Sequence, residues 1–198
     1  MLSIIKSHVK KHHDKLKFYD SITGMSKILR RYFVMNSFDG ALTIFGLLLG
    51  EYAAGVMENQ LIIALGLSTS MAVGISGLTG AMLTETAERE REIKSMETAL
   101  QRNLDDTDYK RAYEFASVLA GVVDGFSPIL ASLVLLSPFF ILNASEAYPY
   151  AFALGLVVFF ALGMFLGKIS RESIIKTGFK LLIAGLFCMA VILILGAV

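Results

Sequence analysis

The chain has 198 residues, 55% of them hydrophobic and 18% charged, with a mean hydropathy of +0.64. Soluble domains run nearer ~45–50% apolar and ~25% charged, so the composition argues against a water-soluble globule. A formal net charge of +1 gives no global pull toward nucleic acid, and a single cysteine, Cys188, rules out an intrachain disulfide.

The first residues do not read as a signal peptide, because Lys10, Lys11, His12, His13 and Lys15 stand where its apolar stretch would lie. Residues 1–31 mix basic groups with Ile4, Ile5, Val9, Phe18, Ile22, Met25 and Ile28. That mixture predicts an amphipathic helix lying on the cytosolic membrane face. His12 and His13 are a candidate metal pair, although two solvated residues on that helix explain them more simply.

A membrane-spanning helix needs ~20 apolar residues, and residues 32–198 contain five such runs. They are Tyr32–Val56, interrupted by Asp39 and Glu51; Asn59–Thr84; Phe115–Ser145, which carries Asp124; Ala147–Gly167; and Leu181–Val198. The predicted fold is all-α: a polytopic membrane protein with five transmembrane helices, an N-terminal amphipathic cytosolic helix and an acidic loop at 85–111. All 18 basic residues fall before the first run, between the second and third, or between the fourth and fifth. By the positive-inside rule the N-terminus and the acidic loop are cytosolic, and the C-terminus lies outside or in a lumen.

Asp39 lies eight residues past Arg31, hence ~12 Å further along a helix. An aspartate at that depth costs roughly 2.5–3.5 kcal/mol on insertion scales, which calls for a partner, a proton or a cation. Asp39, Thr43, Gly46 and Gly50 share one narrow face at i, i+4, i+7 and i+11. Close helix packing explains the glycines but not the aspartate. Asp124 sits in mid-span four residues before Pro128, whose missing N–H frees the Asp124 carbonyl. Such breaks occur at ion sites and also as plain structural kinks. Asp39-Gly40 with Ile44 recurs as Asp124-Gly125 with Ile129, three identities that a parallel duplication would explain.

If the second helix continues past Thr84, Glu85, Glu88 and Glu92 share a face. Clustered carboxylates suit hard or borderline divalent cations. The same spacing gives ordinary pairs such as Glu85 with Arg89 on a solvated helix, and the local pattern favours that. Gly66, Ser70, Gly74, Gly77 and Ala81 form a small-residue stripe that reads as a packing seam. Met71 and Met82 lie beside it with Ile75 and Leu78. Met82 is a candidate soft-metal ligand, although a methionine in such company usually packs as an apolar residue. No histidine falls in a span, no Gly-Lys-Ser/Thr loop is present and no nucleophile–base pair is visible. Neither an enzyme nor a resident cofactor is expected.

The stretch Phe38-Asp39-Gly40-Ala41-Leu42-Thr43-Ile44-Phe45-Gly46-Leu47-Leu48-Leu49-Gly50 resembles the first-span motif of the vacuolar iron transporter family. Gly80 to Glu90, ending Ala87-Glu88-Arg89-Glu90, is similar to the end of that family's second span. The resemblance implies a homodimeric carrier in the lipid bilayer, moving Fe2+ or Mn2+ out of the cytosol in exchange for protons. It places Asp39 on the metal path. The chain departs from the family where Ala81 replaces a glutamate, Gly77 a methionine and Phe38 an asparagine. Its cytosolic stretch is also shorter, and Asp124 has no counterpart. The candidate metal ligands are Asp39, Asp124, Thr43, Met82, Glu85, Glu88 and Glu92. The rival expectation is a non-transporting membrane scaffold that binds partners through its N-terminal helix and acidic loop.

Overall fold

The computed structural model describes residues 14–196, and among them the chain is helical with no strand. Residues 14–23 form α1. It is followed by α2 (Met25–Ala53), α3 (Asn59–Leu100), α4 (Asp108–Leu136), a 3-10 turn (Ser137–Phe140), α5 (Ala144–Ser170) and α6 (Ile174–Gly196). Five of these helices are long and apolar enough to cross a membrane, and the protein is a multi-pass membrane protein.

The element boundaries correct several expectations. The helix expected over 1–31 is two pieces within the described residues. Gly24, at φ 62°, breaks it in a left-handed conformation that glycine adopts without strain, and α2 then opens at Met25. Residues 1–13, with His12 and His13, lie outside the described residues. At the corner, the Ser26 N–H donates to the Asp20 carboxylate at 2.6 Å. That bond, followed by the nearby Arg30 and Lys27 charges, holds the Asp20 carboxyl below its ordinary range. α1 exposes Lys15, Leu16, Lys17 and Phe18. It buries Tyr19, whose ring meets that of Phe115 in α4 at 5.8 Å.

The acidic stretch at 85–111 is mostly not a loop. α3 runs 42 residues, ~63 Å at 1.5 Å per residue, about twice the ~30 Å of a hydrocarbon core. Its last turns are rich in Glu, Ala, Lys, Arg and Met, all good helix formers, so the helix carries on past the apolar segment. Gln101 then caps it with a positive φ of 51°. The third apolar run also ends sooner than Ser145. The 3-10 turn opens at Ser137 with Pro138 in its first positions, and α5 starts one residue past Asn143.

α4 packs along both α2 and α3, α6 packs on α5, and α2 joins the two groups through α5. Lipid tails are as apolar as leucine, so these contacts rest on close packing rather than on water exclusion. The sequence supplies it with small residues. A Cβ on Gly40 would fall 2.4 Å from the Pro128 Cα, and one on Gly74 would fall 2.7 Å from the Gly125 carbonyl oxygen. Gly66, Ser70, Gly74 and Ala81 are buried, so the stripe on α3 is a packing seam. The two halves of the Asp-Gly repeat meet directly: Gly40 lies on Pro128, and the Ser37 hydroxyl donates to the Ser127 carbonyl at 3.4 Å. The apolar core gathers Ile44, Phe45, Leu48, Leu135, Phe139, Tyr148 and Phe159. Within it the Phe45 and Phe159 rings meet edge-on at 5.2 Å.

Candidate functional site

One face of α2 presents Tyr32, Asn36 and Asp39 at i, i+4 and i+7, toward α3 and α4. Near the end of α2 that follows the basic segment, the Tyr32 hydroxyl donates to Glu85 Oε1 on α3 at 2.9 Å. One turn further on, the Asn36 side-chain amide donates to the Tyr32 carbonyl at 2.9 Å. The same amide donates to Asp124 Oδ1 on α4. Asp124 is 6% exposed. Its other oxygen presses against α3 where a Cβ on Gly77 would lie, 2.7 Å away. A side chain at that position would force the carboxylate to shift.

Asp39 and Asp124 line one cavity of about 390 Å³, together with Asn36, Ser76, Gly77 and Pro128. The two carboxylates are close enough for their charges to act on each other. Pro128 brings no N–H to the Asp124 carbonyl, and that oxygen faces the Gly77 position at 3.3 Å. The cavity lining holds two acids, an amide and a hydroxyl, but no basic side chain. Asp39 is the exposed member, on the surface of the single chain.

The other sequence candidates stand elsewhere. The Thr43 hydroxyl donates to the Asp39 carbonyl at 2.7 Å within its own helix and does not line the cavity. Met82 is 40% exposed and packs beside Gly121. Two of the three glutamates are paired with a cation of the chain itself. Arg89 stands between two of them, 3.4 Å from Glu85 and 3.7 Å from Glu92, with its guanidinium over the Tyr113 ring at 5.1 Å. Glu88 is exposed. The ordinary i, i+4 pairing therefore describes this stretch, and among the described residues no group of three His, Cys, Asp or Glu side chains is placed to hold a metal. Beyond it, Asp105 accepts hydrogen bonds from Lys110 and Asn103, and these hold its carboxyl below the ordinary range.

Sequence reasoning missed Tyr32 and Asn36. A lone amide in an apolar helix, one turn before an anomalous aspartate, was the available signal for Asn36. Nothing local marked its reach to a residue 88 positions away.

No protein-family model matches the chain. It is 34% identical over 166 residues to uncharacterized protein MJ0645 of Methanocaldococcus jannaschii, an alignment covering 82% of this chain and 85% of that one.

Proposed function

Since the chain belongs to the family of uncharacterized protein MJ0645 of Methanocaldococcus jannaschii, whose name carries no activity, we propose a function from the membrane site itself. The protein carries a divalent transition-metal cation, Fe2+ or Mn2+, out of the cytosol in exchange for protons. One observation carries this reading: Asp39 and Asp124 line a single cavity within the membrane-spanning helices, and no basic side chain lines it with them. A carboxylate in hydrocarbon costs roughly 2.5–3.5 kcal/mol on insertion scales, and a passing cation offsets that cost where the protein offers no counter-charge.

The donor chemistry narrows the cargo. Two carboxylates, the Asn36 amide carbonyl and the Ser76 hydroxyl offer a cation only oxygen atoms. Hard and borderline divalent ions suit such donors, whereas soft ions call for thiolate or thioether ligands. On the resemblance to the vacuolar iron transporters, Gly77 stands where that family has methionine, and its missing side chain leaves space for Asp124. The exposure of Asp39 on the single chain supports a homodimer, in which a second copy covers this face of α2. The placement of all 18 basic residues supports a cytosolic N-terminus and cytosolic α3–α4 hairpin.

Reconstitution into liposomes tests the reading. Mn2+ and Fe2+ flux is measured for wild type, Asp39→Ala and Asp124→Ala. Each substitution is expected to slow flux at least tenfold, the equivalent of ~1.4 kcal/mol. Variants that move both ions at the wild-type rate refute it.

A further inference from the structure

A second buried carboxylate stands at the other end of α2. Glu51, in the last turn of that helix, is 6% exposed, and neither of its side-chain oxygens has a hydrogen-bond partner. The polar groups of this end of the bundle are engaged elsewhere. The Tyr148 hydroxyl on α5 is close enough to feel the Glu51 charge, but it donates to the Val56 carbonyl at 2.9 Å. The Asn59 amide at the start of α3 donates to the Phe139 and Leu142 carbonyls at 2.7 and 2.6 Å. The Val56 N–H donates to the backbone carbonyl of Glu51, not to its carboxylate.

Residues 32–88 and 112–167 contain no Lys or Arg, and among the described residues every basic side chain belongs to a segment at or near the opposite end of the helices. A buried carboxylate without hydrogen-bond donors or a counter-charge is strongly unfavourable as an anion, so what balances Glu51 comes from solution. A divalent metal needs several oxygen ligands around it; the Asp39–Asp124 cavity gathers two carboxylates, an amide and a hydroxyl, whereas Glu51 is a lone carboxylate and the Tyr148 hydroxyl is committed to the Val56 carbonyl. A proton needs one oxygen.

We propose that Glu51 is a proton-binding site, loaded and emptied from the face opposite the basic residues and separate from the Asp39–Asp124 cavity. An O–H bond forms at one carboxylate oxygen with a proton taken from water and breaks when the proton returns there; nothing is oxidised or reduced. The route is short, because Tyr52, next in the helix, is 49% exposed and Ala53 and Ala54 are also exposed. The titratable groups around the site are Tyr148 from α5 and Tyr52 on α2 itself. Glu58 and Glu146, both exposed, head α3 and α5. The role in transport rests on the exchange mechanism proposed above: Glu51 takes the proton counterflow while Asp39 and Asp124 take the metal.

Infrared difference spectra of the purified full chain, recorded through a pH titration in H2O and D2O, test the site without requiring transport. A carbonyl stretch of a protonated carboxylic acid is expected in wild type, shifted in D2O and retained in the Asp39→Asn, Asp124→Asn double variant. It is expected to vanish in Glu51→Gln. Should Glu51→Gln fail to fold, Glu51→Met serves in its place. Wild-type and Glu51-variant spectra without this difference overturn the proposal. In liposomes driven by a Mn2+ gradient, Glu51→Gln is expected to lower proton counterflow, and the Mn2+ flux exchanged for it, at least tenfold; unchanged counterflow overturns the coupling role. A wild type that moves no metal refutes the transporter reading instead and leaves the infrared comparison to decide Glu51.

Discussion

Two glycines on α3, one turn apart, separate the packing of the helices from the chemistry of the cavity. At Gly77 an added Cβ would lie 2.7 Å from Asp124 Oδ2. Ordinary contact begins near 3.4 Å, so the oxygen must retreat by about 0.7 Å. It is the end of a side chain and can turn, but Oδ1 of the same carboxylate is held by Asn36. The turn breaks or bends that hydrogen bond, at a cost of ~1–3 kcal/mol if the group is left unpaired. Alanine returns ~1 kcal/mol of helix propensity over glycine. The net change in stability is therefore small, ~1 kcal/mol, while the carboxylate is displaced. At Gly74 the added Cβ would lie 2.7 Å from the Gly125 carbonyl oxygen and 2.6 Å from the Ile129 side chain. Backbone cannot turn aside, so α3 and α4 must part. Overpacking of that kind costs ~3 kcal/mol, and ~2 kcal/mol remains after the propensity gain. For a chain of this size that lowers the melting temperature by about 4–8 °C. Thermal unfolding in detergent and Mn2+ flux in liposomes are measured on both variants. Gly77→Ala is expected to melt near wild type and to lose flux at least tenfold, and Gly74→Ala to melt well below it. A Gly77→Ala protein that transports normally, or one less stable than Gly74→Ala, refutes the placement of Asp124 against this seam.

Three further substitutions test residues outside the cavity. Arg89→Met leaves Glu85 and Glu92 without their common cation and is expected to destabilise by ~1 kcal/mol, because solvent reaches both glutamates and screens the loss. Glu88→Gln, at an exposed position, is expected to change neither melting nor metal flux, and a flux loss there would restore the cation-mouth reading of this stretch. At the α1–α2 corner, Asp20→Ala removes the acceptor of the Ser26 N–H and is expected to speed exchange of that amide about fivefold at neutral pH, for ~1 kcal/mol. The Asp20 carboxyl is held below its ordinary value in the folded chain. Its contribution is therefore present above the unfolded value of ~3.9 and is lost as pH falls through the lower folded value. Wild type and variant should converge in that acid range and differ above it.

The parts of the molecule legible in its sequence are those that hydrocarbon imposes one helix at a time. An apolar run must be about twenty residues long, and an acid inside one must have a reason; both statements pick out the five spans, Asp39 and Asp124 without knowledge of how the helices meet. The Glu85–Arg89 pair was legible for the same reason, since i, i+4 neighbours touch whatever lies around them. What was not legible depends on the meeting of helices. Asp39 and Thr43 share a helix face in sequence, yet the Thr43 hydroxyl turns back to its own backbone. Asn36 on that helix reaches Asp124 because Gly40 lets α2 settle on Pro128 and Gly77 leaves α3 clear of the carboxylate. Glu51 was visible as a charge ending a span, but its isolation is a statement about Tyr148 being engaged with Val56 and Asn59 with Phe139 and Leu142. Periodicity within one helix therefore nominates acids. Whether an acid is partnered, shared or left alone is decided by neighbours tens of residues away, and by the glycines that set how close those neighbours come.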